Sequence, residues 1–125
     1  MDNANILIVD DDVEVLRLLK ELLGRKVSSA IIATASNADA AQIAYRNNKD
    51  SLRVVVLDTE IGRTRGYELL DDLKQQGYAG KAVGLSGNTD SEHENNWSER
   101  GAVFLAKPPD TNRLTGYIND ALKNN

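Results

Sequence analysis

Arg53-Val54-Val55-Val56-Leu57-Asp58 runs four consecutive apolar residues directly into a single carboxylate. The run lacks the alternation of a half-exposed strand, so it reads as a central parallel strand covered on both faces. Asp58 then stands at its carboxyl end. In an open α/β sheet, ligands bind in the crevice beyond the carboxyl ends of the strands, which makes a carboxylate there a candidate for chemistry. An Asp after a strand also serves as a turn former or helix cap, so the rest of the chain has to decide between the two.

Toward the amino terminus, Ile6-Leu7-Ile8-Val9 is a second apolar run that ends in acid, at Asp10, Asp11 and Asp12. The helical stripe Val13, Val15, Leu16, Leu18, Leu19, Leu22 and Leu23 follows and is expected to stop at Gly24. An acidic helix start complements the helix dipole and accounts for one or two of the aspartates, less well for three in a row. Residues 30–35 give another strand, and Ser36 or Asn37 can cap a helix carrying Ala38, Ala41, Ile43, Ala44 and Tyr45. Asn47 to Ser51 is a polar connection into the central strand.

Toward the carboxyl terminus, residues 59–66 read as a loop with two glycines, Gly62 and Gly66. A helix with Tyr67, Leu69, Leu70 and Leu73 follows and closes at Gly77. Lys81 to Ser86 is a further central strand that ends in a hydroxyl. Thr89 to Arg100 has Trp97 as its one large apolar residue, which predicts the most polar and least firmly packed helix. Ala102 to Ala106 is the last strand, with Val103, Phe104 and Leu105, and it runs into Lys107-Pro108-Pro109. Asp110 or Thr111 starts a terminal helix with Leu114, Tyr117, Ile118 and Leu122.

Strands and helices that alternate through short connections imply a doubly wound parallel sheet with helices on both faces. Four strand ends along one edge then bear Asp10 with Asp11, Asp58, Ser86 and Lys107. Two acids beside a third make a hard, all-oxygen site suited to Mg²⁺. A hydroxyl and an ammonium on neighbouring strands suit the oxygens of a transferred phosphoryl group. Asp58 is then both metal ligand and nucleophile.

Composition bounds the alternatives. The chain has 125 residues, the usual size of one domain. Its 15 Lys plus Arg against 19 Asp plus Glu give a net charge of -4, with no general attraction to nucleic acid or anionic lipid. It has no cysteine, which excludes disulfides and thiolate metal sites. The amino terminus does not resemble a secretory signal, because the aspartates interrupt its apolar run. A cytoplasmic protein without nucleic-acid or membrane partners is expected.

The ordered set of strand ends resembles the response-regulator receiver domain of bacterial two-component signalling, of the chemotaxis-regulator type, from Ile6 to about Leu122. The resemblance implies a (βα)5 flavodoxin-like fold with strand order 2-1-3-4-5. It implies that Asp58 accepts a phosphoryl group from a phosphohistidine on a histidine kinase or histidine phosphotransferase. Mg²⁺ would be held by Asp11, Asp58 and the backbone carbonyl of Glu60, with Asp10 acting through metal-bound water. Ser86 and Lys107 would contact the phosphoryl oxygens, and Phe104 would be the aromatic that turns inward on activation. Such a domain catalyses its own phosphorylation and dephosphorylation, turns over no external substrate, and signals to a downstream protein target as a monomer or weak dimer.

The chain departs from the family pattern at several points. The loop after the phosphoacceptor has Thr59 where an apolar residue is common, Gly62 where proline is common, and Arg65 where Asp or Asn is common, which predicts a more mobile loop. Gly87 replaces a frequent alanine, and Phe104 lacks the phenol oxygen of the commoner tyrosine. None of these removes a required group. His93, in a polar helix, is expected at a solvated surface position. Trp97 either anchors a partner or covers the edge of the core. Arg63 and Arg65 read as solvated loop charges, and Glu60 as a residue of the site mouth or a plain exposed carboxylate. The rival readings are a haloacid-dehalogenase-like phosphohydrolase, which needs a second Asp where Glu60 stands, and a pseudo-receiver that binds without phosphorylation. With no output domain after Leu122, the chain reads as a single receiver domain that is free-standing, a relay intermediate, or part of a larger kinase.

Overall fold

The computed structural model describes residues 3–88 and 90–123. In chain order its elements are β1 (Ile6–Val9), α1 (Val13–Lys26), β2 (Ile32–Ala35), α2 (Ala38–Asn48), β3 (Val54–Asp58), β4 (Glu60–Ile61), β5 (Thr64–Arg65), α3 (Gly66–Gln75), β6 (Lys81–Ser86), α4 (Ser91–Glu99), β7 (Val103–Ala106) and α5 (Thr111–Lys123). The five long strands form one parallel sheet in the order β2-β1-β3-β6-β7, which is the expected 2-1-3-4-5 once the short hairpin β4-β5 is set aside.

Alternation along the strands sorts the core into two halves. Ile6, Ile8, Val54, Val56, Val83, Leu85 and Leu105 pack against α1 and α5 through Leu16, Leu19, Leu23, Leu114 and Ile118. Leu7, Val9, Val55 and Leu57 pack on the opposite face against Ala41 and Tyr45 of α2, Leu69, Leu70 and Leu73 of α3, and Trp97 of α4. Every residue of β3 is buried, as its unbroken apolar run requires. Burial of each of its four large apolar side chains contributes about 1.5–3 kcal/mol.

Local signals set most helix starts. Asp12 Oδ1 accepts from the backbone N–H of Glu14 at 2.9 Å, Asn37 Oδ1 from Ala40 at 2.7 Å, and Asp110 Oδ1 from Asn112 at 2.9 Å. Gly77, at φ 112°, closes α3 in a conformation that a Cβ would strain.

The helix α1 does not stop at Gly24. It continues to Lys26, and the N–H of Val27 bonds back to the Leu23 carbonyl at 2.9 Å. A mid-helix glycine costs only about 1 kcal/mol, and burial of Val27 at the true end outweighs it. The segment 59–66, read as a mobile loop, forms the β4-β5 hairpin turning at Gly62 (φ 62°). Ile61 is buried beneath it, and Gly62 N–H donates to Asp11 Oδ2 at 3.0 Å.

The helix α4 buries two of its residues, fewer than any other helix among the described residues, in keeping with its polar sequence. It starts at Ser91 with Asp90 as its cap, while Thr89 lies outside the described residues. Trp97 is fully buried, and His93, expected in solvent, is 8% exposed. The two are one helical turn apart and share the inward face, so burying one brings in the other. Trp97 therefore belongs to the core and is no exposed anchor.

Candidate functional site

The site lies where β1, β3, β6 and β7 end along one edge of the sheet. Of the three aspartates after β1, Asp12 caps α1, which leaves Asp10 and Asp11 for the edge. Asp10 is 1% exposed and accepts from the Asp12 N–H through Oδ1 at 2.9 Å. Its other oxygen, Oδ2, meets Lys107 Nζ at 2.9 Å. The same Nζ lies 3.5 Å from Asp58 Oδ1. One ammonium thus bridges the ends of β1 and β3 from the end of β7.

Asp10, Asp11 and Asp58 each bring a carboxylate oxygen within 4.8 Å of the others. Asp11 is exposed at the mouth and pinned by Gly62, so the hairpin forms one wall of the site. Burial, with the Asp10 charge adding to it, pushes the Asp58 carboxyl up to about 6, against the opposing pull of Lys107. Burial disfavours the charge on Lys107. Its hydrogen bond to Asp10 and the charge of Asp58 nonetheless hold its pKa above the ordinary lysine value. One lysine does not neutralise three carboxylates, and an oxygen-only cluster with excess negative charge fits a hard divalent cation such as Mg²⁺.

Ser86 reaches the same edge and is 3% exposed, but its hydroxyl closes a turn within its own loop, donating to the Asn88 carbonyl and accepting from the Asn88 N–H. Phe104 is half-buried and packs against the α2, α3 and α4 side of the core. Glu60 is exposed and its carboxylate bonds Arg65 at 2.9 Å, so Arg65 is an ion-pair partner within the hairpin where a free loop charge was expected. Arg63 remains exposed at the hairpin turn.

Sequence reading noted Thr59 and Trp97 separately and missed that they meet behind the site. Thr59, the residue after Asp58, is 1% exposed. Its hydroxyl donates to the Leu85 carbonyl at 2.8 Å and accepts from Trp97 Nε1–H at 3.0 Å. The indole lies against Gly84 of β6, where a Cβ would fall 2.2 Å from Trp97 Cε2. A Cβ at Gly66 would fall 2.0 Å from the Asp58 carbonyl oxygen. A glycine inside an apolar strand, as in Val83-Gly84-Leu85, is the sequence signal for such a close approach.

Comparison with known proteins agrees with this geometry. The sequence pattern of the response regulator receiver domain matches residues 6–119. The chain is 30% identical over 72% of its length to the two-component response regulator ARR22 of Arabidopsis thaliana, covering 62% of that protein. It is 25% identical over 98% of its length to the transcriptional regulatory protein YvrH of Bacillus subtilis, covering 51% of that protein. The chain thus spans between half and two thirds of these curated relatives. A receiver domain structure from Clostridium thermocellum superposes with a TM-score of 0.86 at 26% identity, over 96% of this chain and 94% of that one. A fold whose strand ends gather three acids and a lysine, and a family match over nearly its whole length, lead to one conclusion: the chain belongs to the response regulator receiver domain family.

Proposed function

We propose that this domain accepts a phosphoryl group on Asp58 from a phosphohistidine, in a Mg²⁺-dependent reaction, and signals through the resulting change of conformation. The observation that carries the reading is the convergence of Asp10, Asp11 and Asp58 at one sheet edge, with Lys107 Nζ against Asp10 and Asp58.

Asp58 is the nucleophile. Its Oδ attacks phosphorus, a new O–P bond forms, and the P–N bond to the donor imidazole breaks. The electron pair leaves with the imidazole nitrogen, which takes up a proton. Lys107 stays cationic across the neutral range and lies within reach of both Asp58 and the incoming oxygens, so it offsets negative charge as it builds up. Ser86, released from Asn88, donates its hydroxyl to a phosphoryl oxygen. Asp10, Asp11, Asp58 and the Glu60 backbone carbonyl are the groups that would hold Mg²⁺. When bound, the ion neutralises the carboxylates and the phosphoryl oxygens together.

An apolar groove of about 360 Å³ opens beside Lys107, between Val15, Leu18 and Leu19 of α1 and Pro108 and Pro109. Leu18, which lines it, is 58% exposed. Apolar surface at the mouth of the site supports docking of a histidine kinase or phosphotransfer protein there. The pseudo-receiver reading loses ground because the acids and the lysine whose loss would mark it are all present. The dehalogenase reading loses ground because Glu60 stands in place of a second Asp and is committed to Arg65. No helix among the described residues is long and apolar enough to cross a membrane, in keeping with a proposed cytoplasmic setting.

Incubation with Mg²⁺ and acetyl phosphate, followed by intact-mass and peptide analysis, tests the assignment. One base-labile phosphoryl group on Asp58 is expected, absent without Mg²⁺ and in Asp58→Asn. Equal labelling of Asp58→Asn would overturn it.

A further inference from the structure

A buried indole N–H needs a partner, and in this core Trp97 finds it in Thr59 Oγ1 at 3.0 Å. An apolar residue after the phosphoacceptor, the common choice in the family, would leave that N–H orphaned. Thr59 and Trp97 are therefore a matched pair, and Gly84 completes them by leaving room for the ring. Tyr67 meets the indole edge-on, with ring centroids 5.6 Å apart at 90°. Arg100 follows α4 and ties it to α3 through the Asp71 carboxylate, at 2.8 and 3.0 Å.

The Thr59 hydroxyl has a second bond, to the carbonyl of Leu85. That carbonyl also accepts from the Thr59 N–H at 2.8 Å. The Leu85 carbonyl and the Ser86 nitrogen belong to one rigid peptide plane. A change at Ser86 that tilts this plane displaces the acceptor on which Thr59 Oγ1 depends, and with it the acceptor of the indole N–H. Ser86 is held now by Asn88, and a phosphoryl group on Asp58 offers it new acceptors.

We infer that Ser86, the Leu85 carbonyl, Thr59 Oγ1 and Trp97 Nε1 form a hydrogen-bonded relay that couples the occupancy of Asp58 to the seating of α4. The relay rests on the reading of Asp58 as phosphoacceptor and adds to it the regulatory path by which this chain reports that state. Trp97 is a positioning residue in it, acting on the site through Thr59. The coupling is reciprocal: whatever reseats α4 alters the phosphoryl site by the same free energy.

The test uses the one tryptophan of the chain. In ¹H–¹⁵N spectra its indole N–H gives a single resonance that reports the bond to Thr59 directly. Addition of Mg²⁺ and beryllofluoride to the wild type is expected to shift that resonance. Thr59→Val, close to the same shape without a hydroxyl, should move the resting resonance upfield and lose the shift, while acetyl phosphate still labels Asp58. Thr59→Ser, which keeps the hydroxyl, should restore the response and guards against a Val variant that fails to fold. A wild-type indole that stays silent while Asp58 is labelled overturns the relay alone, as does a Thr59→Val response equal to that of the wild type. Absence of any label on Asp58 overturns the phosphoacceptor reading and the relay with it.

Discussion

Asp58→Asn should make the metal-free protein more stable at neutral pH, and the gain should vanish in acid. Burial beside Asp10 raises the Asp58 carboxyl from 3.8 to about 6, with its side chain 12% exposed. Below the unfolded value of 3.8 both states hold the proton, and the acid is no burden on the fold. As the pH rises toward the folded value of about 6, the unfolded chain has released its proton while the folded chain still keeps it, so stability falls. Above that value the penalty is constant. A shift of about two units corresponds to roughly 3 kcal/mol. In a domain of this size that is on the order of 10 °C in melting temperature. Urea unfolding of both proteins in EDTA across this range measures it, and comparing the two cancels the titration of every group that does not interact with Asp58. The curves should meet in the acid limit and separate through the window between the two pKa values. A gap independent of pH, or a less stable Asn variant at neutral pH, would refute the claim that the Asp58 charge is a burden on the resting fold.

The other predictions concern the metal, the lysine and the glycines. If Mg²⁺ binds with a dissociation constant of about 1 mM, then about 10 mM should stabilise the wild type by roughly 1.4 kcal/mol, and a thermal melt matched equally by Na⁺ at the same ionic strength would exclude a divalent site. Asp11→Asn should shrink that response, because it removes one of the three converging oxygens. Lys107→Met leaves the 1%-exposed Asp10 without its cation and should cost about 3 kcal/mol in urea unfolding at neutral pH; a change near zero would mean that water replaces the lysine freely. Gly84→Ala drives a methyl group into the Trp97 ring and should cost about 1–3 kcal/mol. Gly24→Ala, with nothing within 4 Å of the new methyl on a helix surface, should instead stabilise by about 0.5–1 kcal/mol.

The parts legible in the sequence are those where one local pattern carries both fold and chemistry. Val54 to Leu57 specify a strand buried on both faces, and the first polar residue after them, Asp58, has to lie at the sheet edge. The same logic locates Asp10 after Ile6–Val9 and Lys107 after the last strand. Illegible parts depend on partners distant in the chain. Thr59 and Trp97 are 38 residues apart, and a threonine in a loop says nothing of an indole behind it. His93 reads as a surface residue because its neighbours Glu92, Glu94 and Asn95 are polar; only packing against Tyr67, at 6.2 Å between ring centroids, shows which face of α4 is turned inward. Gly24 misleads in the opposite direction. It carries a local stop signal, and burial of Val27 three residues later overrides it.

Alternation along β3 sets the proposed phosphoacceptor and the proposed relay on opposite sides of one strand end. Val54 and Val56 face α1 and α5, whereas Val55 and Leu57 face α2, α3 and α4. Continued by two residues, the same period turns Asp58 to the first side and Thr59 to the second. The observed contacts agree: Asp58 meets Lys107, which follows the edge strand β7, and Thr59 meets Trp97 of α4. Gly66 lets the start of α3 press directly on the peptide between them, since any side chain there would collide with the Asp58 carbonyl, and its N–H bonds the Thr59 carbonyl at 2.7 Å. A peptide fixed by α3 on one side and by the Leu85 carbonyl on the other has little freedom to absorb a change at Asp58 by itself. In the relay inferred above, a displacement there passes to the neighbours of this peptide, among them the Thr59 hydroxyl bound to α4.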